Sequence, residues 1–142
     1  MLAEVKAGLN SVADTEWEEI DMIVDSGASD TVIGQDMIPS VPITESQKKG
    51  TQYECANGDR IYNLGQKKFV GVTEENAKRE LTAQVTNVNK SLLSVSKVTS
   101  GGSRVVFDKS GSYIEDKTTG RRVHLTERNG MYMLKLWVKK DF

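Results

Sequence analysis

Short apolar runs separated by polar turns set the rhythm of the chain. Ile20, Met22, Ile23 and Val24 form one run, the acidic turn Asp25-Ser26-Gly27 follows at once, and Thr31-Val32-Ile33 forms a β-branched run that ends on Gly34. Runs of this length and composition predict strands. Pro39-Ser40-Val41-Pro42 then breaks regularity. Between Thr51 and Val72, the apolar positions Tyr53, Cys55, Ile61, Leu64, Phe69 and Val70 flank Ala56-Asn57-Gly58-Asp59. Asn-Gly between such runs is the strongest short-range hairpin signal, so a β-hairpin with an exposed polar tip is predicted.

Farther along, the polar turn Glu74-Glu75-Asn76-Ala77-Lys78 precedes Leu81, Ala83, Val85 and Val88, whose spacing suits a strand with one solvated face. Leu92 to Val98 is short and apolar, and one helix is expected near it. Gly101-Gly102 turns the chain into Arg104-Val105-Val106-Phe107-Asp108. The strands Ser112–Glu115, Arg122–Leu125 and Met131–Val138 follow, separated by Thr118-Thr119-Gly120 and Asn129-Gly130. Many short strands and few helix-length periods predict an all-β barrel or sandwich. At the start, Leu2, Val5, Leu9 and Val12 recur near helical spacing but are interrupted by Gly8, which fits a short amphipathic helix or a loosely ordered arm.

Composition narrows the functions available. A chain of 142 residues, 37% of them apolar, suits one compact domain. No stretch approaches the roughly 20 apolar residues of a membrane span, and Met1 to Lys6 lacks the apolar core of a signal peptide, so a soluble intracellular protein is expected. With 19 basic against 20 acidic residues, no global field favours nucleic acid or an anionic membrane; Arg121-Arg122 and Lys139-Lys140 are only local basic spots. Cys55 is the sole cysteine and His124 the sole histidine, too few for an intrachain disulfide or a structural zinc site. The same scarcity argues against serine or cysteine peptidase chemistry. Cys55 is expected as a half-buried strand residue and His124 on a strand surface, with no metal and no cofactor.

The remaining chemistry centres on Asp25. Its carboxylate follows a buried strand and can be held by the Ser26 hydroxyl and Gly27 amide in a glycine-permitted turn. A lone Asp-Ser-Gly is more often an ordinary acidic turn than a catalytic one. The longer string, with Ile23-Val24 before the acid and Ala28-Ser29-Asp30-Thr31-Val32-Ile33-Gly34 after it, resembles the active-site loop of retropepsin-like aspartic proteases. The order of Asp25 loop, Asn57-Gly58 hairpin, strand around Leu81 to Val88 and Leu92-Leu93-Ser94-Val95 is similar to the family's layout over roughly Glu18 to Asp108. Lys90 to Val98, Val105-Val106-Phe107-Asp108, Gly120 and Asn129 to Leu134 resemble copia-type retrotransposon polyproteins, where protease leads toward integrase.

That resemblance implies a retropepsin-like closed β-barrel protomer with one short helix and extra C-terminal strands. It divides the chain into an N-terminal arm (1–19), a protease domain (20–108) and a β extension toward the integrase side (109–142). It implies an aspartic endopeptidase with Asp25 as catalytic acid, Ser26, Gly27 and Ala28 in the active-site loop, and Ala56, Asn57, Gly58 and Asp59 in the flap. Asp30, Ile33, Leu92 and Leu93 are further substrate-pocket candidates. Bilobal relatives carry two acid-Ser/Thr-Gly loops, whereas Asp116-Lys117-Thr118-Thr119-Gly120 is misspaced, so the second acid is expected from a second copy in a homodimer. Substrates would be extended segments of the chain's own polyprotein, in the cytoplasm within retrotransposon particles, without nucleic-acid or membrane binding by this segment. The retroviral branch has Gly-Arg-Asn where Asn89-Lys90-Ser91 stands and an acid in place of Ser29, so its Arg–acid pair is missing here. The competing reading is a non-catalytic dimeric relative that serves as an assembly or peptide-binding module.

Overall fold

The structure, a computed structural model, describes residues 16–55 and 57–140. The 1–15 part of the expected arm and flap residue Ala56 therefore lie outside the described residues. Strands take 52% of the chain and helix 6%, in agreement with the all-β expectation. In chain order they are β1 (Trp17–Asp25), β2 (Val32–Gly34), β3 (Gln52–Glu54), β4 (Arg60–Tyr62), β5 (Gly65–Val72), β6 (Lys78–Thr86) and β7 (Leu92–Ser94). Helix α1 (Val95–Ser100) follows, then β8 (Ser103–Val106), β9 (Ser112–Asp116), β10 (Arg122–Arg128) and β11 (Met131–Lys139). Among the described residues no helix is long and apolar enough to cross a membrane.

One sheet runs in the order β1-β7-β2-β6-β5-β11-β10-β9-β8, and β11 also pairs with β1. β11 lies antiparallel along β1 from Trp17↔Lys139 to Ile23↔Met133 and touches β5 at Trp137↔Val72. Its alternation explains this placement, because Leu134, Leu136 and Val138 face inward while Met131, Lys135 and Lys139 face water. These three residues join Ile20, Met22, Val24, Ile33, Ala83, Val85 and Leu93 in a single core cluster, so the segment after Phe107 shares the core of the segment before it. Gly71 permits the close approach, since a Cβ there would meet Leu136 Cδ1 at 3.0 Å.

Turn chemistry accounts for the hairpins. Asn129 and Gly130 both take positive φ, 54° and 80°, as the tight β10–β11 turn requires. Among the described residues of the β3–β4 hairpin Gly58 alone does so, at 89°, while Cys55 N–H donates to the Asp59 carbonyl at 2.7 Å, giving a longer loop. Cys55 is half-buried just beyond β3, and His124 is exposed on β10. The helix begins later than its apolar run suggested. Leu92-Leu93-Ser94 is drawn into the sheet, and α1 starts only after Ser94, whose hydroxyl caps it by accepting from Lys97 N–H at 3.2 Å.

Because Leu136 is 2% exposed at the junction of β1, β5 and β11, Leu136→Ala should cost about 2–5 kcal/mol, read from urea denaturation. A loss below about 1 kcal/mol would show that β11 is a peripheral addition rather than part of the core.

Candidate active site

The Asp25 loop hangs between two strands that do not pair with each other. β1 ends on Asp25, β2 begins on Val32, and the three-residue β7 lies between them. β7 runs parallel to β1 through Ile23↔Leu92, Val24↔Leu93 and Asp25↔Ser94, and Leu92 also pairs with Val32 of β2. Ile23 N–H donates to the Ser91 carbonyl at 2.8 Å, and the Ser91 hydroxyl donates to the Asp21 carbonyl. Ser94 fastens the loop itself: its hydroxyl donates to the Ala28 carbonyl at 2.8 Å, and its amide donates to Thr31 Oγ1 at 3.1 Å.

Within that frame Asp25 is half-buried, and its Oδ1 accepts the Gly27 amide at 2.8 Å. A Cβ at position 27 would stand 3.4 Å from the same oxygen, so glycine leaves that side of the carboxylate open. Ser26, Gly27 and Ser29 are exposed and Ala28 is half-buried. The arrangement holds one carboxylate in a fixed orientation while leaving it reachable from solvent. Lys90 and Ser29, at the two positions of the missing retroviral ion pair, are both exposed, so no charge is stranded in the interior.

The other candidates divide. Asn57, Gly58 and Asp59 are exposed at the hairpin tip, where Asn57 Oδ1 accepts Asp59 N–H at 3.0 Å. Ile33 and Leu93 are 0% and 2% exposed inside the core, and Leu92 is half-buried. Asp30 is 5% exposed, and both carboxylate oxygens are occupied by Lys48 Nζ at 2.6 and 2.8 Å. The Tyr53 hydroxyl donates to Asp30 at 3.2 Å, and Lys97 Nζ lies 3.7 Å away. Burial pushes the Asp30 carboxyl upward, but the Lys48 hydrogen bond and charge, the Tyr53 hydrogen bond and the Lys97 charge outweigh it and hold its pKa below the ordinary 3.8. Lys48 is raised in turn, chiefly by its hydrogen bond to Asp30.

The larger cavity, about 480 Å³, is lined by Leu81, Leu93, Val98, Ile114, Leu134 and Leu136 and reaches Asp30, but Asp25, Ser26 and Gly27 are not in its wall. It extends from the core and is separate from the open carboxylate. Among the described residues no group of three or more His, Cys, Asp and Glu could hold a metal ion. No family model, no curated protein and no solved structure matches the chain.

Ser94 and Lys48 are the site residues that sequence reasoning passed over. Ser94 carries a readable signal, a serine between an apolar run and a helix start. Lys48 carries none, because its partner is 18 residues away in a different loop.

Ser94→Ala removes a helix cap and a loop clamp together and should cost about 1–3 kcal/mol by urea denaturation, whereas exposed Ser96→Ala should stay within about 0.5. For Asp30, a folded pKa below the unfolded value gives stability that is fully present above the unfolded pKa and lost as pH falls through the folded one. Between about pH 4 and pH 2 the wild type should therefore lose stability faster than Asp30→Asn, measured by denaturant midpoints at each pH. Parallel pH profiles would show that Asp30 is not linked to folding.

Proposed function

We propose that the chain is a retropepsin-like aspartic endopeptidase of the copia type, active as a homodimer with one Asp25 from each copy. The observation that carries this reading is the Asp25 loop: an oriented, solvent-reachable carboxylate with a glycine beside it, on a turn pinned by β7. The cycle of pairings β1-β7-β2-β6-β5-β11, returning to β1, supports a closed barrel protomer as its scaffold.

In the dimer the two Asp25 side chains meet on the two-fold axis, with the Ser26 hydroxyls bracing the paired loops. Two adjacent carboxylates cannot both ionise cheaply, so they share one proton. One acid polarises the scissile carbonyl while the other carboxylate takes a proton from the attacking water. Ala28 floors the nearest side-chain pocket, and Ala56, Asn57, Gly58 and Asp59 close over an extended peptide and exclude water. The substrate is the chain's own Gag-Pol-type polyprotein, cut in the cytoplasm within assembled particles, where tethering raises the effective concentration of protease halves.

Asp25→Asn should lower cleavage of peptides spanning the polyprotein junctions by about 10²–10⁴-fold or more, with pepstatin-type inhibition of the wild type in parallel. Wild-type rate per chain should rise with protein concentration until the dimer saturates. Undiminished cleavage by Asp25→Asn would sink the proposal; peptide binding without cleavage by the wild type, under conditions where it is dimeric, would favour the assembly-module reading.

A further inference from the structure

The β3–β4 hairpin is a two-stranded sheet of its own, with no ladder to the main sheet. Its strands are mostly exposed, with only Tyr53 and Ile61 half-buried. Isolated two-stranded hairpins are marginal in water, so the position of this one depends on what grips its base. Two backbone bonds close that base, Gly50 N–H to the Asn63 carbonyl at 2.9 Å and Asn63 N–H to the Thr51 carbonyl at 2.8 Å. They join the two arms to each other, while the Thr44–Gln66 pair (2.8 and 2.9 Å) and the Leu64 N–H to the Val85 carbonyl (2.7 Å) tie the arms to the main sheet; none of these bonds reaches the Asp25 loop.

The attitude of the hairpin toward that loop is set by a chain of polar side chains. Asp30, five positions beyond Asp25 on the same loop, receives Lys48 from the arm leading into the hairpin, Tyr53 from β3 and, at longer range, Lys97 from α1. The Tyr53 hydroxyl accepts Asn63 Nδ2 at 3.1 Å, and Asn63 Nδ2 also donates to Gln84 Oε1 of β6 at 2.7 Å. Gln84 Oε1 takes a further bond from the Ser46 hydroxyl at 2.7 Å. Asn63 is 2% exposed, Asp30 5% and Gln84 9%, so these bonds form away from bulk water, where they are directional and costly to leave unmade.

We propose that Asp30 is a positioning residue: its carboxylate latches the hairpin to the Asp25 loop and to α1, fixing the height and register at which the tip meets a bound peptide. The latch uses one acid for two ammonium groups, so Lys48 supplies the close contact to both carboxylate oxygens and Lys97 a weaker tether from α1. Asp30 is thereby withdrawn from direct contact with substrate. Its effect on cleavage passes through the hairpin and deepens the protease reading, while the latch itself stands independently of that reading.

The test separates the two. In an Asp25→Asn background, hydrogen exchange is followed for the amides of Gln52–Glu54 and Arg60–Tyr62 and, as an internal reference, of Leu134–Val138 in β11. Adding Asp30→Asn should speed hairpin exchange about tenfold and leave β11 within about twofold, because only local opening is released. Lys48→Met should reproduce the effect and Lys48→Arg should largely reverse it. Unchanged hairpin exchange, or equal acceleration in hairpin and β11, would overturn the latch. Lys48 is largely outside the core, so Lys48→Met and Tyr53→Phe carry the same comparison if Asp30→Asn does not fold. With Asp25 intact, Asp30→Asn should raise KM for an extended peptide about fivefold or more with kcat nearly constant, whereas simple destabilisation lowers apparent kcat at constant KM. Absence of cleavage in every variant, wild type included, would count against the protease reading and leave the exchange result to decide the latch.

Discussion

Three residues, Leu92-Leu93-Ser94, hold open the space in which Asp25 sits. A sharp turn between two adjacent strands would bring β1 and β2 into direct pairing and bury the acid in the ladder. Here β7 comes between them, parallel to one and antiparallel to the other, so the intervening loop must arch over its end. Short parallel pairing is weak by itself, and β7 has few residues with which to resist slippage. Its register is fixed by what flanks it: Leu93 is packed in the core, and Ser94 holds the Ala28 carbonyl and Thr31 hydroxyl while capping α1. Loop, strand and helix are thus interdependent at one serine.

Two kinds of material surround this wedge. On the inner side the contact is apolar and tolerant of small shifts, since Met22, Ile33, Val85, Leu93 and Leu136 pack without directional demands. Toward the hairpin it is polar and buried, with Asp30, Tyr53, Asn63 and Gln84 each committed to specific partners. Such networks add little net free energy but penalise alternatives, because any other placement of the hairpin strands a buried polar group.

The local features could be read directly from the chain. Period-two runs marked strands such as β6 and β11, paired positive-φ residues at Asn129-Gly130 marked a turn, and Asp25-Ser26-Gly27 with its flanks marked the candidate loop. What could not be read was which distant pieces meet. Leu92-Leu93 has the composition of a helix start as much as of a strand, and tertiary demand for an edge beside β1 decided it. Ile33 follows the acid closely in sequence and Leu93 comes near it only through the β7 ladder, yet both side chains are packed in the core. Asp30 looked available to substrate because Lys48 and Tyr53 are 18 and 23 residues away, separations over which charge pairing leaves no periodic trace.

The sheet order also limits how two copies can meet. β11 lies along β1 from Trp17 to Ile23 and β7 along it from Ile23 to Asp25, so at Ile23 both edges of β1 are taken by strands of the same chain. Among the described strands of the nine-stranded sheet β8 alone is terminal, four strands from β1 by way of β11. A pairing made through β8 would be set by that edge and would not direct one Asp25 toward the other. If two copies met on a two-fold axis at Asp25, as the proposed homodimer requires, the exposed loop residues Ser26, Gly27 and Ser29 would lie at that contact. A contact made by those loop residues alone would be small and polar, and its strength would depend on how rigidly each copy presents its own loop. In the proposed dimer, the wedge of β7 and the bonds of Ser94 would therefore bear on assembly as well as on the shape of the single chain.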